Sequence, residues 1–282
     1  MPNLVHLSHS LIFIAGTCIA VPSAPAAESV ELTSHRAVYD MQLIGADDSS
    51  GILDVNGRMV YELTGNTCRG HSVSVRFMLQ IEGDGGEAQL TDLQSTTFEG
   101  ANGEVFRFAN RTYINDELAE EIEGAAAERQ GAINVNLEQP RQETLQIDGE
   151  TLFPTEHLSQ IIHAARRGES FLLASVFDGS ESGDTVFDTT ALIGKSFDII
   201  PRDYGSSEQA ISGIGSTTAW PVTVSYFKQE NANHESEQTP DYQLEFVLHE
   251  NGASHDLVLN YGAFEIFGRL VHFEHLPEVP CS

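Results

Sequence analysis

From about residue 35 onward, apolar and polar residues alternate with the period of two that marks strands burying one face. Ala37, Tyr39, Met41 and Leu43 open the pattern. Leu53, Val55, Met59, Tyr61 and Leu63 form the apolar side of a second segment. A third sets Val73, Val75, Phe77, Leu79 and Ile81 against Ser72, Ser74, Arg76, Gln80 and Glu82. The last two predict a long antiparallel hairpin with one face in the core. Segments 88–99 and 104–114 follow, with Phe98, Phe106 and Phe108 as core anchors. The alternation then weakens at Ile133, Val135 and Leu137 and at 143–147. Beyond the middle of the chain, 186–200 reads as one or two strands and the Gly- and Ser-rich stretch 202–218 as a loop. Trp220 to Tyr226, Tyr242 to Leu248, Leu257 to Tyr261 and 263–273 complete the series, with a polar loop over 229–240. About a dozen strands at even spacing are expected of a meander or barrel. No composition shift divides residues 28–282, which are expected to form a single domain, and no fixed-period repeat is present.

One helix interrupts this pattern. Leu158, Ile161, Ile162 and Ala165 recur at i, i+3, i+4 and i+7, Pro154 and Thr155 stand at its start, and Gly168 follows Arg166 and Arg167 at its end. The next run, Phe171-Leu-Leu-Ala-Ser-Val-Phe177, is apolar at nearly every position and predicts a strand buried on both faces. The expected fold is therefore all-β and mainly antiparallel, with one central amphipathic helix.

Composition narrows the range of functions. The 282 residues include 40% hydrophobic ones, enough for a core, and carry a formal net charge of −28. Acidic groups spread along the chain repel phosphate backbones and anionic headgroups, which argues against nucleic acid and against electrostatic membrane docking. Residues 11–21 are apolar apart from Gly16, Thr17 and Cys18, and Ala24-Pro-Ala26 supplies an Ala-x-Ala cleavage pattern. Residues 1–27 are therefore expected to be a secretory signal peptide, leaving no integral membrane segment after cleavage. The alternatives are an uncleaved anchor or a lipoprotein acylated at Cys18. Cleavage would leave two cysteines, Cys68 and Cys281, in an oxidising compartment, where a disulfide is the natural inference and two free thiols the alternative. Closing a loop of about 214 residues would contribute at most roughly 5 kcal/mol.

Candidate chemistry is sparse. Gly179-Ser-Glu-Ser-Gly183 has Glu181 where a nucleophile would stand. Asp178 to Asp184 resembles a calcium loop, but Thr189 occupies the position of the bidentate Glu. His157 and His163 diverge on the helix, and His272 and His275 point to opposite sides of an extended segment, so neither pair has zinc-ligand spacing. His157 reads as a packing and capping residue. Gly213-Ile-Gly215 lacks the rest of a phosphate-binding fingerprint. No catalytic, cofactor-binding or metal residues are assigned, and no cofactor is expected.

His35-Arg-Ala-Val-Tyr39, Gly57-Arg-Met-Val-Tyr-Glu62, Thr96-Thr-Phe-Glu99, Phe153-Pro-Thr-x-His157, Val176-Phe-Asp-Gly-Ser-Glu181, Trp220-Pro221, Tyr261-Gly-x-Phe264 and Leu276-Pro277 with Cys281 together resemble the EipB family of envelope-integrity proteins of Gram-negative bacteria. The resemblance covers the whole chain after the leader. It implies a periplasmic protein with a long, spirally curved antiparallel sheet, a disulfide carried onto Cys68 and Cys281, and a role in maintaining the envelope. It names a place and a process, not a reaction.

A non-enzymatic role is expected, by binding other envelope proteins. The alternative is a lipid or lipoprotein carrier with an apolar cavity between sheet and helix, for which Phe106, Phe108, Trp220, Phe264 and Phe267 are candidate lining. A hydrolase stands behind both and would require His157, Arg36 or a carboxylate cluster to converge in one cleft. A packed interior would favour the first reading, and a deep apolar groove the second.

Overall fold

The alternating segments pair into one continuous antiparallel sheet. The computed structural model describes residues 30–86, 88–129, 131–196, 205–229, 239–278 and 280–281. In chain order the strands are β1 (His35–Ala46), β2 (Ile52–Asn66), β3 (Gly70–Gly83), β4 (Ala88–Gly100), β5 (Phe106–Ile114), β6 (Glu117–Arg129), β7 (Ala132–Gln139) and β8 (Glu143–Asp148). After helix α1 (Pro154–Arg166) come β9 (Phe171–Val176), β10 (Phe187–Ile193), helix α2 (Glu208–Ile214), β11 (Ala219–Lys228), β12 (Tyr242–His249), β13 (Ser254–Asn260) and β14 (Phe264–His275). The signal-peptide expectation for residues 1–27, with Cys18, lies outside the described residues, as do 197–200 of the expected strand region and much of the loop 229–240.

The order across the sheet is β8-β7-β6-β5-β4-β3-β2-β1-β14-β13-β12-β11-β10-β9. The first and last strands meet at its centre, and β8 and β9, consecutive in the chain, form its two edges. Fourteen strands laid flat would span on the order of 60 Å. The connection between β8 and β9, a 13-residue helix and about nine extended residues, reaches only about 50 Å. The sheet must coil. It does so until the segment that follows β8 reaches β9, where Leu152, just before α1, forms a parallel bridge with Val176. The Leu152 amide donates to the Ser175 carbonyl (2.8 Å), and the Phe177 amide donates to the Leu152 carbonyl (3.0 Å). The result is the expected open, barrel-like spiral, with α1 against its concave side.

Register shifts add to the coiling. One lies between Ile52 and Asp54 opposite β3. It corrects the sequence-based face of β2, because Leu53 is turned outward at 66% exposure while Ile52 and Val55, on either side of the shift, pack into the core. Where β6 crosses behind Phe108, Gly124 is required: a Cβ there would stand 2.8 Å from both the Asn136 carbonyl oxygen and the Phe108 ring.

Two segments depart from expectation, and a third element, β6, has no counterpart among the expected ones. Phe171–Val176 is the edge strand β9, not a strand buried on both faces, and Phe171 (58%) and Leu173 (65%) face solvent. Within the predicted loop 202–218 lies α2, capped by the Ser207 side chain accepting from the Ala210 amide. It is held by burial of Ala210, Ile211 and Ile214. Finally, β6 is a strand built largely of Glu, Ala and Leu, which favour helix. Pairing on both sides with β5 and β7 overrides that preference.

The aromatic residues proposed as cavity lining are mostly core. Phe106 and Phe108 pack with Phe153 and Phe177, and Trp220 packs with Ile161, Ile162 and Val224. Phe267 is 3% exposed, and Phe264 packs against the cluster containing Ile266 and Leu270.

Cys68, in the β2–β3 turn, is bonded to Cys281 beyond β14, with Cα atoms 5.8 Å apart and a sequence separation of 213. On the way the tail pairs with the start of the fold, the Leu276 amide donating to the Ser34 carbonyl (2.9 Å). The bond crosses the seam where the two halves of the sheet meet and ties one to the other. Cys68→Ser is expected to lower the melting temperature in oxidising buffer, with a stability loss of about 2–4 kcal/mol. Thermal unfolding with and without reductant checks this, and the two proteins should melt alike once reduced.

Candidate functional site

The concave face gathers residues from distant parts of the chain around the first turns of α1. The helix has Phe153 at its N-cap position, with no side chain of its own to satisfy the leading amides. Glu99 of β4 does this instead. Its carboxylate accepts from the Thr155 amide (2.8 Å) and the Glu156 amide (2.9 Å). Two of the segments that carry the family resemblance, those ending at Glu99 and His157, thus meet in one hydrogen-bonded unit. The capping role expected of His157 belongs to Glu99. His157 is 4% exposed, and its Nε2 is paired with the Thr189 hydroxyl at 3.2 Å.

Burial dominates the electrostatics here. It raises the Glu99 carboxyl to about 7, against the Thr155 and Glu156 hydrogen bonds that pull the other way. It lowers His157 to about 4, so the imidazole is neutral at ordinary pH.

Beside α1 the concave space is not filled. One cavity of 320 Å³ lies between the helix and the inner side of β2 to β6, walled by Leu63, Val73, Leu93 and Ile122. A second of 320 Å³ lies toward β11 to β13, walled by Met59, Val224, Leu244 and Leu257, with His157 at its edge. Tyr61, Pro154 and Leu158 border both, so the two are compartments of one groove divided by the first turns of the helix. Each is as large as the smaller cavities that hold small molecules, which run roughly 300–1,000 Å³. The groove's aromatic wall is Tyr39, Tyr61, Tyr226 and Phe246, not the phenylalanines expected from sequence. Period-two alternation marks all four as inward-facing, but which inward residues pack and which border open space depends on the coil.

The polar end of the first cavity carries Glu120, Asp178 and Glu181. Asp178, raised by burial, accepts from the Ser180 amide at 2.9 Å and shapes a turn in the segment that resembled a calcium loop. Gly179 in that turn has φ +70° and a Cβ position 2.3 Å from the Phe108 ring, so only glycine fits. Glu181 pairs with Lys228 at 3.1 Å.

The remaining candidates are scattered. Arg36 lies on the opposite side of β1, bonded to Glu62 (2.6 Å) and Glu274 (3.2 Å), and does not converge with His157. His272 is exposed beside Glu274, and Gly213 and Gly215 belong to the end of α2.

A coiled antiparallel sheet that holds a helix on its concave side and leaves apolar space beneath it defines an open, barrel-like β protein. The EipB-like family profile matches residues 26–277, and the chain belongs to that family. The cell envelope integrity protein EipB of Brucella abortus (strain 2308) is 38% identical over 252 residues, covering 89% of this chain and 87% of that protein. A crystal structure from Brucella abortus, described as a beta-barrel-like protein of a domain of unknown function, shares 36% identity. It superimposes with a TM-score of 0.80 over 88% of this chain and 100% of that one.

The Glu99 environment predicts a pH dependence. Between about 4.5 and about 7 the folded protein holds a proton on Glu99 that the unfolded chain has released. This group's contribution is therefore complete below about 4.5 and lost as pH rises through about 7. Glu99→Gln removes the titration, so the stability of wild type relative to the variant should grow as pH falls from 8 to 4, by at most on the order of 3 kcal/mol. Urea unfolding of both proteins across that range measures it; a constant difference would refute the assignment.

Proposed function

We propose that this chain is a periplasmic, non-catalytic protein of the cell envelope, folded as a single domain once residues 1–27 are removed, that takes an acyl chain of a lipid or lipoprotein into the groove under α1. The observation that carries this reading is the pair of adjoining cavities between helix and sheet. A rigid scaffold would gain stability by filling such space, because unfilled apolar volume costs dispersion contacts. His157 is paired with Thr189, and Arg36 lies on the other side of β1. Of the carboxylates that share the first cavity, Asp178 is engaged in its own turn and Glu181 is paired with Lys228, an arrangement that supports binding over hydrolysis.

Charge selects the headgroup. Glu120 is exposed at the polar end of the first cavity, Glu181 beside it is already paired with Lys228, and the whole chain is strongly anionic. A phosphate or carboxylate would be repelled there, so the ligand's polar end is neutral or cationic.

A pyrene-labelled monoacylglycerol tests the proposal. Its fluorescence should rise saturably with one ligand per chain. Leu158→Trp, at the boundary of both cavities, should weaken binding about tenfold while the melting temperature stays within a few degrees. A response that does not saturate, or equal affinity in the variant, overturns the reading.

A further inference from the structure

The two edges of the sheet are treated differently. β8 follows Pro140 and displays Thr144, Gln146 and Asp148 outward, the polar protection usual for an unpaired strand. β9 has a polar outward residue only at its far end, Ser175, which bonds Asp188. Before it the outward side chains are Phe171 and Leu173, extended across the sheet by Leu192 of β10 (55% exposed), which pairs with Phe171.

The backbone of β9 is also open. In an antiparallel pair the N–H and C=O of one residue point to the same side and alternate along the strand. The Ser170 carbonyl accepts from Ile193 on the β10 side, whereas the Ser175 carbonyl and the Phe177 amide serve Leu152 on the other. Phe171 and Leu173 therefore turn both backbone groups away from β10. Leu152 uses this edge only at its far end. Along the rest runs a groove of 580 Å³, walled by Leu172, Leu173 and Ala174 on one side and by Leu152 and Gln160 on the other.

We infer that the open edge of β9 is a docking site at which an extended segment of a partner polypeptide, alternately apolar and basic, adds as a further strand. The backbone groups of Phe171 and Leu173 supply the register, and Leu172, Leu173 and Ala174 supply apolar contact. Charge decides the class of partner. Glu150 and Asp188 flank the groove and none of its described lining residues is basic. A second copy of a chain with net charge −28 would be repelled, whereas a cationic strand is attracted. This inference is independent of the groove under α1.

The experiment uses the full chain without its leader and a fluorescein-labelled peptide of alternating Lys and Val, followed by anisotropy. Saturable binding is expected, abolished in a peptide of alternating Glu and Val and in a Lys–Val peptide interrupted by proline. Leu173→Pro removes the outward amide together with the leucine side chain, leaving the β10 ladder intact, and should weaken binding at least about tenfold. Leu173→Lys keeps that amide but loses the apolar contact and adds like charge, and should weaken it comparably; at 65% exposure the residue tolerates either change. Undiminished binding by both variants, or equal binding of the proline-interrupted peptide, overturns the inference. So does a concentration-dependent dimer abolished by Leu173→Pro, which would make a second copy the occupant.

Discussion

Two strands that are neighbours in the chain but lie at opposite edges of a fourteen-stranded sheet impose the constraint from which the rest follows. The connection between them is too short to cross a flat sheet, so the sheet coils until Leu152 reaches Val176. Coiling creates a concave side, and the connecting helix is drawn onto it. Because a coil of this width encloses more volume than one 13-residue helix fills, apolar space is left beside α1. The same incomplete closure leaves the outer side of the remainder of β9 without a strand partner among the described residues. Groove and open edge are thus two consequences of one topological fact.

The helix is anchored where it enters. Its leading amides would be unsatisfied beneath the sheet, and Glu99 meets them from β4. A buried carboxyl accepting from two backbone amides fixes the helix against the half of the sheet that precedes it, while Ile161 and Ile162 pack against β11 and β12 of the other half. The helix therefore bridges the two halves from within, and the Cys68–Cys281 bond ties them near their central seam. A ligand entering beside Leu158 would meet a wall braced on both sides.

Much of this was legible in the chain. The β2–β3 hairpin, the later alternating strands and the limits of α1 follow from local periodicity and end signals, and the partnership of Cys68 with Cys281 is what the family resemblance implies. The groove was legible only as an alternative. Its wall residues Tyr39, Tyr61, Leu63 and Val73 carry inward alternation, but the pattern does not separate packed from unpacked positions. Glu99 could not be picked from among 42 acidic residues, since its partners lie more than fifty positions away. The Ala- and Glu-rich β6 and the short α2 escaped for a related reason, as both take their form from long-range packing.

The sequence by itself determined the antiparallel class, the amphipathic helix α1 against it, the anionic charge and the family, because these depend on short-range periodicity, charge and ordered motifs. Only the tertiary structure decided that Phe171-Leu-Leu is an edge and not an interior strand, that Leu53 faces outward, and that space remains beneath α1. Those outcomes turn on which strands become neighbours and how tightly the sheet curls. Local apolar pattern records that a residue avoids water, but not which distant residue, or what empty volume, it comes to face.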